Sequence, residues 1–221
     1  MIILHIDTSI DKGSFCISDN EQLLDYGENE RRNEQSAWLH TAIGESFHRI
    51  GLRPSDLDAV SVSNGPGSYT GLRIGLATAK GLCYALNKPL ICLSTLEILA
   101  STVKEDAVDL ICPMIDARRM EVFTACYSKD LKIIKEPFAT ILTPECFSDI
   151  LLNRHVLFTG NGSGKFETLV KKNDSIKFLN KKMDSRDMLP LSLKQYRGKN
   201  FVNVAYSSPY YVKDVYIAGK D

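Results

Sequence analysis

Three short stretches carry the residue types from which a phosphate, metal or peptide site is built. They are Asp7-Thr8-Ser9 after the first apolar run, NGPGSYTG at 64–71, and TGNGSGK at 159–165. In the second, Gly65, Gly67 and Gly71 permit backbone angles or close approaches that a Cβ forbids, and Pro66 stiffens the bend. The stretch leaves an apolar run and enters a helical pattern with Ser68 or Thr70 near its cap. Free N–H groups at such a place, with the helix dipole, suit an anion or another backbone at close range. No Gly-Lys-Ser/Thr follows, so this is not a P-loop. Geometry alone serves a structural turn and a binding loop equally. The third stretch fails both nucleotide fingerprints. Thr159 stands where a Walker motif needs glycine, Phe166 follows Lys165, and Lys165 takes the last glycine position of GxGxxG. It reads as a glycine-rich strand-to-helix turn. Asp7 reads as the head of a tight turn, hydrogen-bonding its own backbone.

Metal chemistry finds little support. The four histidines are His5, His40, His48 and His155. His40 and His48 share a helical pattern but lie about 12 Å apart along its axis, too far to chelate one ion. There is no HExxH, so a metallopeptidase is not expected. Cys16, Cys83, Cys92, Cys112, Cys126 and Cys146 sit scattered in apolar runs without a CxxC pair. They read as buried free thiols, not disulfides or zinc ligands. No metal site is expected.

The elements that must position these residues alternate. Strands are expected at 2–6, 14–18 and 21–28, a helix at 34–51, a buried strand at 59–63, and a helix from about 70 to 86. Strand 90–94 and helix 95–103 follow. Leu39, Ile43, Phe47 and Ile50 make one apolar stripe on the first helix, and Gly51 is its stop. From residue 104 the pattern begins again: strands at 109–117 and 121–128 joined at Arg118-Arg119-Met120, a helix at 143–153, a strand at 155–160, a helix at 165–172 and a last helix at 184–196. Residues 209–219 read as an extended tail. Strands first and helices after, twice, predict a duplicated α/β architecture with mixed sheets. The expected modules are 1–103, carrying the partner-binding helices, and 104–221, with the C-terminal helix and tail.

Composition bounds the function class. The chain has 221 residues, 44% of them hydrophobic, enough for a real core. Lys and Arg number 27, as do Asp and Glu, so there is no net field for holding nucleic acid non-specifically. No apolar run approaches the roughly 20 residues of a membrane span. MIILHIDTS has neither the basic nor the cleavage region of a signal peptide. The cytoplasm is the expected compartment, with no membrane partner.

NGPGSYTGLRIG resembles the signature of the TsaB family, also called YeaZ. ILHIDTS, DLDAVSVSNGPGS, LSTLEILA, MIDARRMEVF and PYYVKD resemble further anchors of that family, with Lys213 where it carries arginine. These anchors span nearly the whole chain. The resemblance implies an ASKHA fold (actin-like, Hsp70-like) and a part in making threonylcarbamoyladenosine in tRNA, next to the anticodon. It implies TsaD as the partner that carries the transfer, and TsaE in a larger complex. It also implies ATP or ADP with Mg²⁺ at the junction of the complex, and tRNA reached only through the complex. TsaD carries a His-x-x-x-His metal pair after its own GPG helix. Here Thr95 and Leu99 occupy that spacing, and neither is a metal ligand. The chain is therefore expected to be a non-catalytic scaffold and activator. In ASKHA enzymes the first hairpin holds phosphates, so Asp7 and Thr8 would be vestigial nucleotide contacts. The 159–165 loop would be the remnant of a second phosphate loop.

The expected working surface is helical. Leu72, Leu76, Ala79 and Cys83 share one face of the second helix. Ile74, Ala77, Thr78 and Gly81 make another, of small residues that let a second helix come close. Trp38, Ala42 and Glu45 lie off the core stripe of the first helix. Both faces would pack internally in a plain α/β domain; the family resemblance makes Trp38, Ala42, Ile74, Ala77, Thr78 and Gly81 the interface with TsaD. The same surface would also take a second copy of the chain. On this reading the loop of Gly65, Pro66, Gly67 and Gly71 sets the pose of an interface helix and holds no substrate. The alternative function is a stand-alone ASKHA phosphotransferase that binds its own nucleotide.

Overall fold

The computed structural model describes residues 1–29, 31, 34–171 and 173–213. The first half builds a sheet from β1 (Ile2–Asp7), β2 (Gly13–Asp19), β3 (Gln22–Asn29), β4 (Ala59–Ser63) and β5 (Leu90–Leu93), in the order β3-β2-β1-β4-β5. The first three strands form an antiparallel meander, and β4 and β5 run parallel to β1. The second half repeats this with β6 (Leu110–Asp116), β7 (Glu121–Ser128), β8 (Ile133–Ile141), β9 (Val156–Thr159) and β10 (Ile176–Leu179), in the order β10-β9-β6-β7-β8. Two mixed sheets with one strand plan, flanked by helices, are the α/β ASKHA architecture that the resemblance implies.

Alternation along the strands decides which helix covers which face. Leu4 and Ile6 of β1, with Val60 and Val62 of β4, face the helices α1 (Gln35–Ile50) and α2 (Tyr69–Leu86). Leu39, Ile43 and Phe47 of α1 and Leu76, Ala79 and Cys83 of α2 complete that core. Gly51 ends α1 in left-handed backbone at φ 69°. Ser68 caps α2 by accepting from the Gly71 N–H, and Asn87 closes it at φ 53°.

The opposite faces are covered reciprocally. Helix α3 (Thr95–Ser101), from the first half, lays Leu96, Leu99 and Ala100 against Ile111 and Ile115 of β6. Helix α6 (Leu189–Arg197), from the second half, lays Leu191 and Leu193 against Ile3, Ala59 and Ile91 of the first sheet. A sheet apolar on both faces needs a helix on each, and each sheet takes one from the other half.

Five local expectations change. Strand β8 was not expected. It pairs only with β7, and as an edge strand it tolerates Pro137. The four-residue edge strand β10 was not expected either. The helix expected at 143–153 is only α4 (Ser148–Leu151), and that at 165–172 is α5 (Ser163–Glu167). The last helix begins as a 3₁₀ turn at Ser185–Met188 before α6. The expected tail is described to Lys213, and its remainder lies outside the described residues.

Candidate functional site

The glycine-rich loop before α2 is packed against the turn after β1. Ser68 N–H donates to the Ser9 carbonyl at 2.7 Å. Thr8 Oγ1 donates to the Gly71 carbonyl at 2.7 Å. A Cβ at Gly67 would collide with the Ser9 carbonyl oxygen, one at Gly71 with that of Thr8, and one at Gly75 with Thr8 Oγ1. Gly65 sits at φ 114°, and the Tyr210 carbonyl oxygen stands where a Cβ would go. The glycines let two backbones touch, and the close-range partner is the chain itself.

Asp7 heads the expected turn: its Oδ1 accepts from Ser9 N–H at 3.0 Å, Ser9 Oγ at 2.6 Å and Ser63 Oγ at 2.5 Å. Burial pushes its carboxyl above the ordinary range, against those hydrogen bonds. Its side chain borders a cleft of about 220 Å³ between the two sheets, with Ile10, Leu99, Asn161, Lys181 and Met183. This is below the roughly 300–1,000 Å³ typical of a small-molecule site. Thr8, the other expected nucleotide contact, faces inward. It is fully buried, and its hydroxyl donates to the Gly71 carbonyl.

The 159–165 loop mirrors this arrangement on the second sheet. Gly162 N–H donates to the Met114 carbonyl at 3.0 Å, and Asp116 N–H to Asn161 Oδ1 at 2.9 Å. Lys165 Nζ lies 2.5 Å from Asp116 Oδ1, so its charge is matched internally. Asn161 Nδ2 donates to Asp11 Oδ2 at 3.3 Å, so this loop meets the turn after β1. Among the described residues, no group of three or more His, Cys, Asp or Glu could hold a metal ion. Thr95 Oγ1 accepts from Gly65 N–H at 3.2 Å, and Leu99 is buried between the sheets. All six cysteines are free.

On the helices, Ala77 and Gly81 are exposed, and Trp38, Ala42 and Ile74 are half-buried, each touching the core beneath. A Cβ on Gly81 would meet nothing, so internal packing does not require glycine there. Thr78 corrects the expectation. It is only 4% exposed, with Oγ1 3.5 Å from His40 Nε2, because α1 crosses over it. Between the helices lies a groove of about 330 Å³ lined by Ser36, His40, Arg73, Ile74, Ala77 and Thr78.

Sequence reasoning missed how the C-terminal segment serves this surface. Asn64 carbonyl accepts from Tyr210 N–H at 2.8 Å, and Asn64 Nδ2 donates to the Ser208 carbonyl at 3.1 Å. Lys80 Nζ donates to the Ala205 and Ser207 carbonyls. Lys213 then pairs with Glu121 of β7 at 2.6 Å. The segment thus runs from α2, over the glycine-rich loop, to the second sheet. Its only sequence signal was the aromatic pair in PYYVKD.

Comparison with known proteins decides the family. The model of the family described as "TsaD: tRNA N6-adenosine threonylcarbamoyltransferase" matches residues 30–218. A Bacillus subtilis (strain 168) protein, tRNA threonylcarbamoyladenosine biosynthesis protein TsaB, is 30% identical over 175 residues, covering 77% of this chain and 76% of its own. The Escherichia coli (strain K12) protein of the same name is 27% identical over 225 residues, covering 97% and 95%. The chain belongs to the TsaB (YeaZ) family. A solved Pseudomonas aeruginosa structure, described as similar to the peptidase YeaZ, shares the fold at TM-score 0.82 with 23% identity, covering 96% of this chain and 99% of that one. No helix of the described residues is long and apolar enough to cross a membrane.

Proposed function

We propose that this chain is the partner subunit of a TsaD-type threonylcarbamoyltransferase in tRNA threonylcarbamoyladenosine biosynthesis, acting as scaffold and activator. Similarity over nearly the full length to a protein named for that biosynthesis supports the pathway. The observation that carries the non-catalytic role is the use of Thr95 and Leu99. Where the resemblance places a metal-binding pair in TsaD, Thr95 holds the glycine-rich loop and Leu99 packs between the sheets. Neither can be withdrawn for chemistry without loosening the module junction.

The partner surface is the outer face of α1 and α2, with Trp38, Ala42, Ile74, Ala77 and Gly81. A second copy of the chain competes for it, and TsaE joins only the larger complex. ATP or ADP with Mg²⁺ belongs to the junction with TsaD, since Thr8 and Lys165 of the two turns are engaged within the chain. The tRNA is reached through the complex, in the cytoplasm. Co-purification of the tagged chain with TsaD from the same cell tests the reading. A stable one-to-one complex is expected, and absence of binding at micromolar concentrations of both would overturn it.

A further inference from the structure

Arg73 leaves the exposed face of α2 one turn after the helix begins. Its guanidinium carbon lies 4.0 Å from the centre of the Tyr69 ring. Its Nε donates to the Tyr211 hydroxyl at 3.2 Å. The two tyrosine rings are 5.3 Å apart. The guanidinium is thus held against an aromatic face from its own helix and by a hydroxyl from the C-terminal segment. Nε takes one of its five donors; the two terminal nitrogens carry the other four. No carboxylate among the described residues pairs with them. An exposed arginine ordinarily samples many rotamers, and one fixed beforehand loses less freedom on binding.

Arg73 also forms one edge of the groove between α1 and α2. That groove presents the cation, the His40 imidazole, two hydroxyls and the apolar Ile74 and Ala77, and no acid. The geometry points to Arg73 as the anchor of this face for a carboxylate of the protein partner, with Tyr69 and Tyr211 as positioning residues. This rests on the partner-subunit reading above. The occupant is an aspartate or glutamate side chain on a helix laid across α1 and α2. A planar guanidinium fork meets a carboxylate in two parallel hydrogen bonds, and the apolar groove walls suit a neighbouring aliphatic side chain. An RNA phosphate fits less well, because the groove offers a single fixed cation and the chain has balanced charge.

The C-terminal segment then belongs to the interface machinery. Tyr211 is held in place by the Tyr210–Asn64 hydrogen bond on one side and the Lys213–Glu121 ion pair on the other. Loss of the Tyr211 hydroxyl would remove one of the two holds on the guanidinium, leaving the Tyr69 ring, without changing the helix.

The test is the affinity of the full chain for TsaD from the same cell, measured by titration calorimetry. The variants are Arg73→Ala, Arg73→Lys, Tyr211→Phe, the double variant Arg73→Ala/Tyr211→Phe, and Ala77→Trp as a probe of the face itself. Arg73→Ala is expected to weaken binding about 10- to 100-fold. Arg73→Lys should restore only a small part of that, since an ammonium lacks the fork. Tyr211→Phe should weaken binding several-fold alone and add nothing in the Arg73→Ala background, the coupling expected of a residue that acts through another. If Ala77→Trp abolishes binding while Arg73→Ala binds as wild type, the anchor is wrong and the face stands. If both bind as wild type, face and anchor fall together. A Tyr211→Phe loss that adds in full to that of Arg73→Ala would overturn its positioning role. If Arg73→Ala leaves TsaD affinity intact but weakens tRNA binding by the assembled complex, the anion is a phosphate and the carboxylate assignment is wrong.

Discussion

Ser68 N–H donates to the Ser9 carbonyl at 2.7 Å, so the turn after β1 and the start of α2 are joined backbone to backbone. Gly67 lies at this junction, and a Cβ there would collide with the same carbonyl oxygen. Gly67→Val should therefore destabilise the fold by about 1–3 kcal/mol through a forced backbone shift. Thermal unfolding should drop by several degrees, and TsaD affinity should fall with it, because α2 begins at that junction. Unchanged melting would reduce the loop to an ordinary turn.

A second buried junction predicts a pH dependence. His5 is fully buried, with Nδ1 3.0 Å from Ser192 Oγ and Nε2 2.9 Å from Ser18 Oγ, and Ser192 Oγ donates to Ser61 Oγ at 2.8 Å. Burial lowers its pKa to about 3. Below the ordinary value near 6.5 the unfolded chain takes a proton that the folded chain refuses, so stability falls as pH drops from about 6.5 toward 3. The slope approaches about 1.4 kcal/mol per pH unit. Asp7 acts in the opposite direction, since its raised pKa lets the folded state keep a proton that the unfolded state has released. The difference between wild type and His5→Gln isolates the histidine. In urea unfolding the stability gap between them should narrow by about 2 kcal/mol between pH 7 and pH 5. A constant gap would contradict the neutral buried imidazole.

Nucleotide binding by the free chain is the next check. Thr8 is engaged by Gly71, and Lys165 by Asp116. Calorimetric titration of ATP with Mg²⁺ into the free chain should give no binding heat up to millimolar nucleotide. A micromolar dissociation constant would favour the stand-alone phosphotransferase instead.

Much of this was legible before any coordinates, and the reasons differ by element. Helices α1 and α2 have long apolar stripes, with Gly51 as a stop and Ser68 as a cap, so local pattern and tertiary packing agree there. The close approach implied by Gly67 and Gly71 was legible too, because only a backbone contact needs glycine at such places. Strand β8 was not, since Lys135, Glu136 and Pro137 interrupt its apolar run and only its edge position makes them tolerable. Thr78 was misplaced because a helical wheel cannot say where α1 crosses α2. The Tyr211–Arg73–Tyr69 cluster joins distant parts of the chain, and no periodicity reports such a contact. The exchange of α3 and α6 between sheets is likewise a matter of which faces remain uncovered, not of any local signal.

Catalysis gives a further outcome. Supplied with threonylcarbamoyl-AMP and tRNA as the sole protein, the chain should form no modified adenosine above background. Thr95 and Leu99 hold structure where the resemblance puts metal ligands in TsaD. Turnover by the isolated chain would show a catalytic centre of its own.

The partner surface is the central claim, and sedimentation of Ala77→Trp tests it most directly. Ala77 is exposed beside the α1–α2 groove, while Leu72 and Leu76 hold the core face. Bulk there should block a close helix–helix contact and leave the monomer folded. Wild type should sediment as a dimer at high concentration and as a heterodimer when mixed with TsaD. Ala77→Trp should sediment as a folded monomer in both cases. A variant that still forms the heterodimer at wild-type affinity would place the interface elsewhere than on α1 and α2.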